Sequence, residues 1–158
     1  MRNSEIACSA LLAFTIFSGC KRPIRSEEIV ARYSHAECIP VEFGPGITPP
    51  SRTWDHTITT SRGFTVHISG ARVPGGRIGV RYVPEGADTV AADAGDYIYP
   101  ADVRLDRGSD TLLIKADGIT AVLGQPQTWL FQYDLNNRRQ VARTQVNPSV
   151  LPQECQIQ

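Results

Sequence analysis

Apolar and polar residues alternate along much of the second half of the chain, with the two-residue period of a half-buried β-strand. The pattern is clear in FTVHI (64–68) and in IGVRYV (78–83). Between them, VPGGRI contains a Gly-Gly pair, which is typical of the turn of a β-hairpin. We therefore predict that this part of the chain forms paired antiparallel strands.

Four more strand segments follow between residues 102 and 146: DVRLD, TLLIKA, TWLFQYDL and QVARTQV. DRGSD and LNNRR separate them and suit hairpin turns, because Gly and Asn tolerate a positive φ. TWLFQYDL places Trp129, Phe131 and Tyr133 on one side of a strand, which predicts a central core strand. The fold class is therefore mainly β: antiparallel meanders that form a small sandwich or a curled sheet.

The segment 102–146 resembles one blade of a β-propeller, in which W-L-F-x-Y-D-L…R-x-V strands are common. The resemblance covers less than a third of the chain. A propeller needs about four to eight blades, and this chain has room for one or two meanders. A closed propeller is therefore excluded.

The start of the domain carries a weaker signal. SEEIV (26–30) followed by Tyr33 could begin a helix with Ser26 as its N-cap and run to about Glu37, although a strand is the alternative. FGPGITPP (43–50) is a Gly/Pro-rich loop.

An uncharged, mostly apolar run of 14 residues, 6–19, lies near the N-terminus. A membrane-spanning helix needs about 20 such residues, so this run is too short to span a bilayer. Its length and position are those of the apolar region of a secretory signal peptide.

The end of this run, Phe17-Ser18-Gly19-Cys20, resembles the lipobox of bacterial lipoproteins, although Phe17 stands where Leu is usual. The resemblance implies that residues 1–19 are removed as a lipoprotein signal peptide and that Cys20 carries lipid. Lys21, rather than Asp, follows the cysteine, which implies the outer membrane, facing the periplasm. Residues 20–26 are then the lipidated cysteine and tether, and 27–158 form a single β-rich periplasmic domain. The alternatives are an ordinary secretory signal and a buried helix of the mature fold.

The chain contains four cysteines, Cys8, Cys20, Cys38 and Cys155. If the lipoprotein interpretation holds, Cys8 leaves with the signal peptide, Cys20 is acylated, and Cys38 and Cys155 remain. We expect these two to form a disulfide, because the periplasm is oxidising. Two free thiols or a metal pair are the alternatives, but there is no CxxC and no nearby His to favour metal.

Little in the sequence points to catalysis. The net charge is zero, so no general attraction to nucleic acid is implied. His35, His56 and His67 lack the spacing of a zinc site; an acid–base pair of Asp55 with a histidine is conceivable, but such histidines are more often exposed or hydrogen-bonded. The glycines of ISGARVPGGRIG bracket a turn and are not followed by a helix, as a phosphate loop requires. We predict a non-enzymatic protein with no cofactor and no bound metal.

Acidic residues are frequent in 85–110. ADTVAADAGDYIYP (87–100) carries Asp88, Asp93 and Asp96, which could bind Ca²⁺, but it lacks the alternation of an EF-hand loop and is better explained as a solvated loop. Tyr97 and Tyr99 beside it are either partner-binding aromatics or core residues of the next strand.

One further resemblance bears on function. HISGARV (67–73) is similar, over Ser-Gly-Ala-Arg, to a stretch in small periplasmic lysozyme inhibitors, which are lipoproteins with a disulfide-bonded β fold. It points to Ser69 and Arg72 as partner-binding residues. We expect a lipid-anchored protein-binding module, such as an inhibitor or immunity protein against a secreted toxin or hydrolase. The alternatives are an accessory lipoprotein of an envelope assembly or secretion complex and, with less support, an enzyme or small-ligand binder.

Overall fold

The computed structural model describes residues 22–43, 52–86, 88–93, 98–119 and 124–155. Over these ranges the chain forms one α-helix, ten β-strands and one short 3₁₀-helix. In chain order they are α1 Ser26–His35, β1 Glu37–Cys38, β2 Glu42–Phe43, β3 Arg52–Thr59, β4 Thr65–Ala71, β5 Arg77–Val83, β6 Asp88–Asp93, β7 Ile98–Asp106, β8 Thr111–Ile119, β9 Pro126–Asp134, β10 Arg139–Val146 and the 3₁₀-helix Pro148–Val150.

The strands form two antiparallel five-stranded sheets. The first sheet has the order β1-β7-β8-β9-β10, and the second has the order β2-β3-β4-β5-β6. Each sheet is mostly a meander, since only β1 lies far in sequence from its neighbour β7. The prediction of a mainly β fold built from antiparallel meanders is confirmed, and the predicted four-stranded unit corresponds to β7–β10.

The two sheets pack face to face around one core. In β8, Leu112 and Ile114 point into it, as does Phe131 of β9, while Val66 and Ile68 of β4 enter from the second sheet. All five residues are at most 1% exposed. The alternation in the sequence therefore marks the inner face of each sheet.

The helix α1 packs on the outer face of the first sheet. Ile29 and Tyr33 are fully buried there against Leu113 of β8 and Leu130 of β9. The predicted helix is confirmed, but its N-cap is Arg25 and not Ser26. The Ser26 hydroxyl lies 3.3 Å from the hydroxyl of Thr144 in β10, so it helps to dock the helix and does not cap it.

The C-terminal segment covers another part of the same face. Cys38 of β1 and Cys155 form a disulfide with a Cα–Cα distance of 5.8 Å, which confirms the predicted pairing. Leu151 packs with the apolar residues under α1. The first sheet is thus covered on its outer face by both ends of the described chain.

The predicted hairpin turns are confirmed, but the residues that adopt a positive φ in them are not the Gly and Asn residues on which the prediction relied. In DRGSD the left-handed residue is Asp110, with φ 49°, and in LNNRR it is Arg138, with φ 55°. Both are held by contacts with residues of the second sheet or of other turns. Asp110 accepts hydrogen bonds from Ser61 and Asn136, and the Arg138 guanidinium stacks over the Tyr82 ring at 4.2 Å.

Candidate functional site

The outer faces of the two sheets differ in what covers them. Whereas α1 and the C-terminal segment pack on the first sheet, no described element packs on the outer face of β3–β6 in the second sheet. Its side chains are mostly exposed. We call this surface the open face; from the cross-strand register it comprises Asp55, Thr57, Thr59, Thr65, His67, Ser69, Arg77, Gly79, Arg81, Val83, Asp88 and Val90.

The middle of the open face is a row of direct cross-strand neighbours. Asp55 lies opposite Ser69, Ser69 opposite Gly79, and Gly79 opposite Val90. A Cβ atom added at Gly79 would lie 3.5 Å from the Ser69 hydroxyl oxygen, so there is room for one. The two small residues therefore leave a shallow depression between the Asp55 carboxylate and the Val90 side chain, which is 45% exposed.

A second row beside it supplies hydrogen-bonding groups. His67 has two polar neighbours: its Nε2 lies 3.2 Å from the Asp55 carboxylate, and its Nδ1 forms a hydrogen bond of 3.2 Å with the Thr57 hydroxyl. The histidine beside Asp55 in space is thus His67. His56 instead lies opposite Ile68, on the inner side of the sheet.

This Asp55–His67–Thr57 arrangement contains a carboxylate, an imidazole and a hydroxyl in contact with one another in that order. A catalytic triad depends on a buried acid and on donors placed in a site that excludes water. The Asp55 side chain is 67% exposed on a flat sheet. The geometry therefore suits a fixed set of recognition groups better than acyl transfer.

Ser69, the first predicted partner-binding residue, lies at the centre of this surface. It is exposed, and its hydroxyl makes no hydrogen bond to any described residue. Arg81 and Asp88 extend the His67 row toward the sheet edge. The open face thus combines free donors and acceptors with a small apolar contact at Val90.

Arg72 and Tyr99 lie together, but their contacts are internal. The Arg72 guanidinium lies 3.1 Å from the Glu154 carboxylate and stacks over the Tyr99 ring at 5.5 Å. Only 21% of the Arg72 side chain is exposed. Arg72 therefore ties the β4–β5 turn to the C-terminal segment and is not on the surface that holds Ser69. Tyr97 and Cys20, also predicted as site residues, lie outside the described residues.

Glu154 also binds Lys115, a nearly buried lysine of β8. The Lys115 ammonium lies 3.0 Å from both Glu154 and Asp117. Burial by itself would lower the pKa of Lys115, but its hydrogen bonds to these two carboxylates outweigh burial and raise the pKa. This charge cluster fastens the C-terminal segment to the first sheet.

The acidic stretch 85–110 is mostly strand where it is described. Asp93 pairs with Arg77 at 3.3 Å, and Asp88 lies opposite Arg81, while Asp96 lies outside the described residues. Among the described residues, no three His, Cys, Asp or Glu side chains are grouped so that they could hold a metal ion. Within the same ranges no helix is long and apolar enough to cross a bilayer.

The resemblance over Ser-Gly-Ala-Arg predicts Ser69 as a partner-binding residue, but the sequence does not reveal which residues surround it. A glycine inside a strand pattern, such as Gly79, is a signal for a close approach or a missing side chain, and it was available in IGVRYV. The positions of Asp55 and Val90 beside it depend on the register of four strands.

Comparisons with models of protein families, with curated proteins and with solved structures find no match for this chain.

Proposed function

We propose that this chain is a lipid-anchored binding module on the periplasmic side of the bacterial outer membrane, and that it binds a folded envelope or secreted protein through the open face. Inhibition of a secreted toxin or hydrolase is the leading role. The alternative is a role as an accessory lipoprotein of an envelope assembly or secretion complex.

The observation that carries this proposal is the contrast between the two outer faces. The outer face of an antiparallel sheet can be solvated without serving any partner, so the proposal rests on how the two outer faces of this sandwich differ. Here the first sheet has a helix and a disulfide-linked segment over it. The second sheet instead presents an exposed serine hydroxyl, which has no hydrogen-bond partner among the described residues, beside a valine that is 45% exposed, so both groups are available to a partner side chain.

The position of the proposed anchor supports the same orientation. α1 begins at Ser26 on the outer face of the first sheet. Residues 21–25 span at most about 17 Å when fully extended, so a lipid on Cys20 would hold the helix-covered side near the membrane. The open face lies on the opposite layer of the sandwich and would point into the periplasm.

Protein capture with point variants tests this function. Residues 21–158 suffice, because the buried cores and the disulfide all lie between Ile29 and Cys155. The oxidised domain is used to capture partners from envelope and secreted fractions of the source organism. Ser69→Trp fills the depression, whereas Ser149→Trp alters an exposed serine in the 3₁₀-helix and is the matched control.

Specific loss of one stoichiometric partner with Ser69→Trp, but not with Ser149→Trp, supports the open face. A partner that is a hydrolase or toxin supports inhibition, and a barrel or assembly component supports the accessory role. Equal capture by both variants would exclude the open face as the binding surface. Mass spectrometry of the native protein tests the anchor separately, since acylation adds mass to a chain that begins at Cys20.

A further inference from the structure

A cleft of about 750 Å³ lies at the other side of the molecule, between the segment before α1 and the outer face of the first sheet. Its walls include Arg22 and Ile24 from that segment, Arg32 from α1, and Gln132 and Arg139 from β9 and β10. The volume falls within the range of about 300–1,000 Å³ that is usual for small-molecule sites. The cleft does not include any residue of the open face.

The charge of the cleft is positive. Three arginines line it, and Asp134 is the one acidic residue among the lining residues. The Asp134 carboxylate is already occupied, because it accepts hydrogen bonds from the backbone N–H groups of Asn136 and Asn137 at 2.9 and 3.0 Å. Burial would raise the pKa of Asp134, but these bonds and those from the Asn137 side chain outweigh it and lower the pKa.

The arginines are not committed to strong partners. Arg22 lies 3.4 Å from Glu28 with both side chains more than half exposed, and Arg32 lies 3.5 Å from Asp106. Exposed pairs of this kind contribute at most about 1 kcal/mol. Arg139 lies opposite Asp134 in the register, and its charge helps to lower the Asp134 pKa, but among the described residues it has no carboxylate within ion-pair distance. An anion in the cleft could therefore recruit all three guanidinium groups.

The wall of the cleft also contains an unsatisfied acceptor. Gln132 is 3% exposed, and its side-chain carbonyl oxygen accepts no hydrogen bond from any described residue. A buried acceptor without a donor costs about 1–3 kcal/mol. That oxygen is itself buried, so a bound molecule with an O–H or N–H group would remove the cost once the Gln132 amide turns toward the cleft.

We infer that this cleft binds a phosphodiester that carries a hydroxyl or ammonium donor. The guanidinium groups match phosphate oxygens, which they bind in bidentate geometry, and the donor satisfies Gln132. Two sources share this chemistry: the headgroup of a membrane phospholipid, and a free glycerophosphodiester. Ile24, which is 41% exposed at the rim, gives a lipid an apolar contact that a free headgroup would not need. The lipid source further rests on the proposed anchor, since Arg22 stands two residues after Cys20.

NMR titration of ¹⁵N-labelled residues 21–158 tests the site without any acyl chain on the protein. The probes are glycerophosphoglycerol in solution and, in separate vesicle-flotation measurements, phosphatidylcholine vesicles with and without phosphatidylglycerol. We expect the Gln132 side-chain amide and the Arg139 Nε signals to shift. Arg139→Gln is expected to weaken binding about tenfold, because it removes a charged hydrogen-bond donor. Arg81→Gln, an exposed arginine of the open face, is the matched control and is expected to bind normally.

Gln132→Met provides a second test, because it removes the acceptor while it retains the volume. We expect unchanged or increased stability together with binding that is about two- to tenfold weaker. Binding of both probes supports the site with either source, and binding only to the anionic vesicles supports the lipid headgroup. The inference is overturned if neither probe binds, or if Arg81→Gln weakens binding as much as Arg139→Gln, since binding would then be general attraction. Neither result affects the two tests of the proposed function, which are partner capture by the open face and the mass of the native protein.

Discussion

Removing the Asp102 carboxylate is expected to destabilise the domain more than any change on the open face. Asp102 is 1% exposed and lies in β7, under α1 and the C-terminal segment. It accepts hydrogen bonds from the Tyr33 hydroxyl at 2.5 Å, from Arg104 Nε at 2.9 Å and from the Cys155 N–H at 3.3 Å. One carboxylate therefore joins the helix, the sheet and the last described residue.

The magnitude follows from what Asp102→Leu leaves behind. Arg104 keeps a backbone partner, the Gln153 carbonyl at 2.7 Å, but its charge stays nearly buried without a counterion. Breaking one side of a buried ion pair costs about 3–5 kcal/mol. That is a large part of the roughly 5–15 kcal/mol that holds a typical domain folded. Replacing both partners, as in Asp102→Leu/Arg104→Met, removes the stranded charge and should cost less than the single change.

Urea unfolding followed by tryptophan fluorescence measures both variants, since Trp54 is buried and Trp129 packs against the core. Tyr33→Phe is an intermediate case, which removes one donor and is expected to cost about 1–3 kcal/mol. The reasoning would be refuted by a loss below about 1 kcal/mol for Asp102→Leu. It would also be refuted if the double variant were less stable than the single one.

Three further outcomes are expected. Reduction of the Cys38–Cys155 disulfide, which joins residues 117 positions apart, should lower the free energy of unfolding by about 4–5 kcal/mol. Urea midpoints with and without reductant measure this loss, and an unchanged midpoint would contradict the prediction. Gly70→Ala should destabilise the domain by about 1–3 kcal/mol, because the added Cβ would lie 2.5 Å from the Arg77 carbonyl oxygen. Gly79→Ala should be tolerated, because its Cβ would lie 3.5 Å from the Ser69 hydroxyl oxygen. Equal melting temperatures of the two variants would contradict this prediction. Burial would raise the pKa of Asp110, but hydrogen bonds from Ser61 and Asn136 outweigh burial and lower the pKa. The stability that Asp110 contributes is therefore present above its ordinary pKa of 3.8 and is lost as the pH falls through the lowered pKa. Asp110→Asn should flatten the acid limb of a plot of stability against pH, and an unchanged limb would contradict the assignment.

The strands could be predicted because their signal is local. A period of two residues needs only the residues of one segment, and TWLFQYDL shows its inner side, with Phe131 and Tyr133, without reference to any other strand. The start of α1 was harder. A serine before two acids is a normal N-cap pattern, but Ser26 is instead engaged with Thr144, 118 residues further along the chain. A contact of that range leaves no trace in the local pattern.

Contacts between distant parts of the chain also explain why Arg72, which was predicted to bind a partner, instead makes internal contacts. Arg72 was predicted as a partner-binding residue from the resemblance over Ser-Gly-Ala-Arg, whereas its partner Glu154 lies near the other end of the chain. Ser69 was predicted from the same resemblance, and the strand period places it on the exposed side of β4. Its value as a candidate comes from Gly79 and Asp55 on either side of it, and that register is set by two separate strand pairings.

The two outer faces explain why polarity alone cannot locate a binding surface in this fold. The outer positions of β7 and β8 hold Asp102, Arg104 and Lys115, which are more polar than most of the open face and yet are buried. Asp102 and Arg104 pair with each other and Lys115 pairs with Asp117, and each of the three has a further partner in the helix or the C-terminal segment. On β3–β5 the outer positions hold hydroxyls, a glycine and charged side chains such as Asp55 and Arg81, and no described segment covers them. What separates the buried outer face from the exposed one is therefore whether the rest of the chain supplies the partners. For the second sheet no described segment supplies them, which leaves the groups around Ser69 open to solvent and makes Ser69→Trp the test of whether a partner protein uses them.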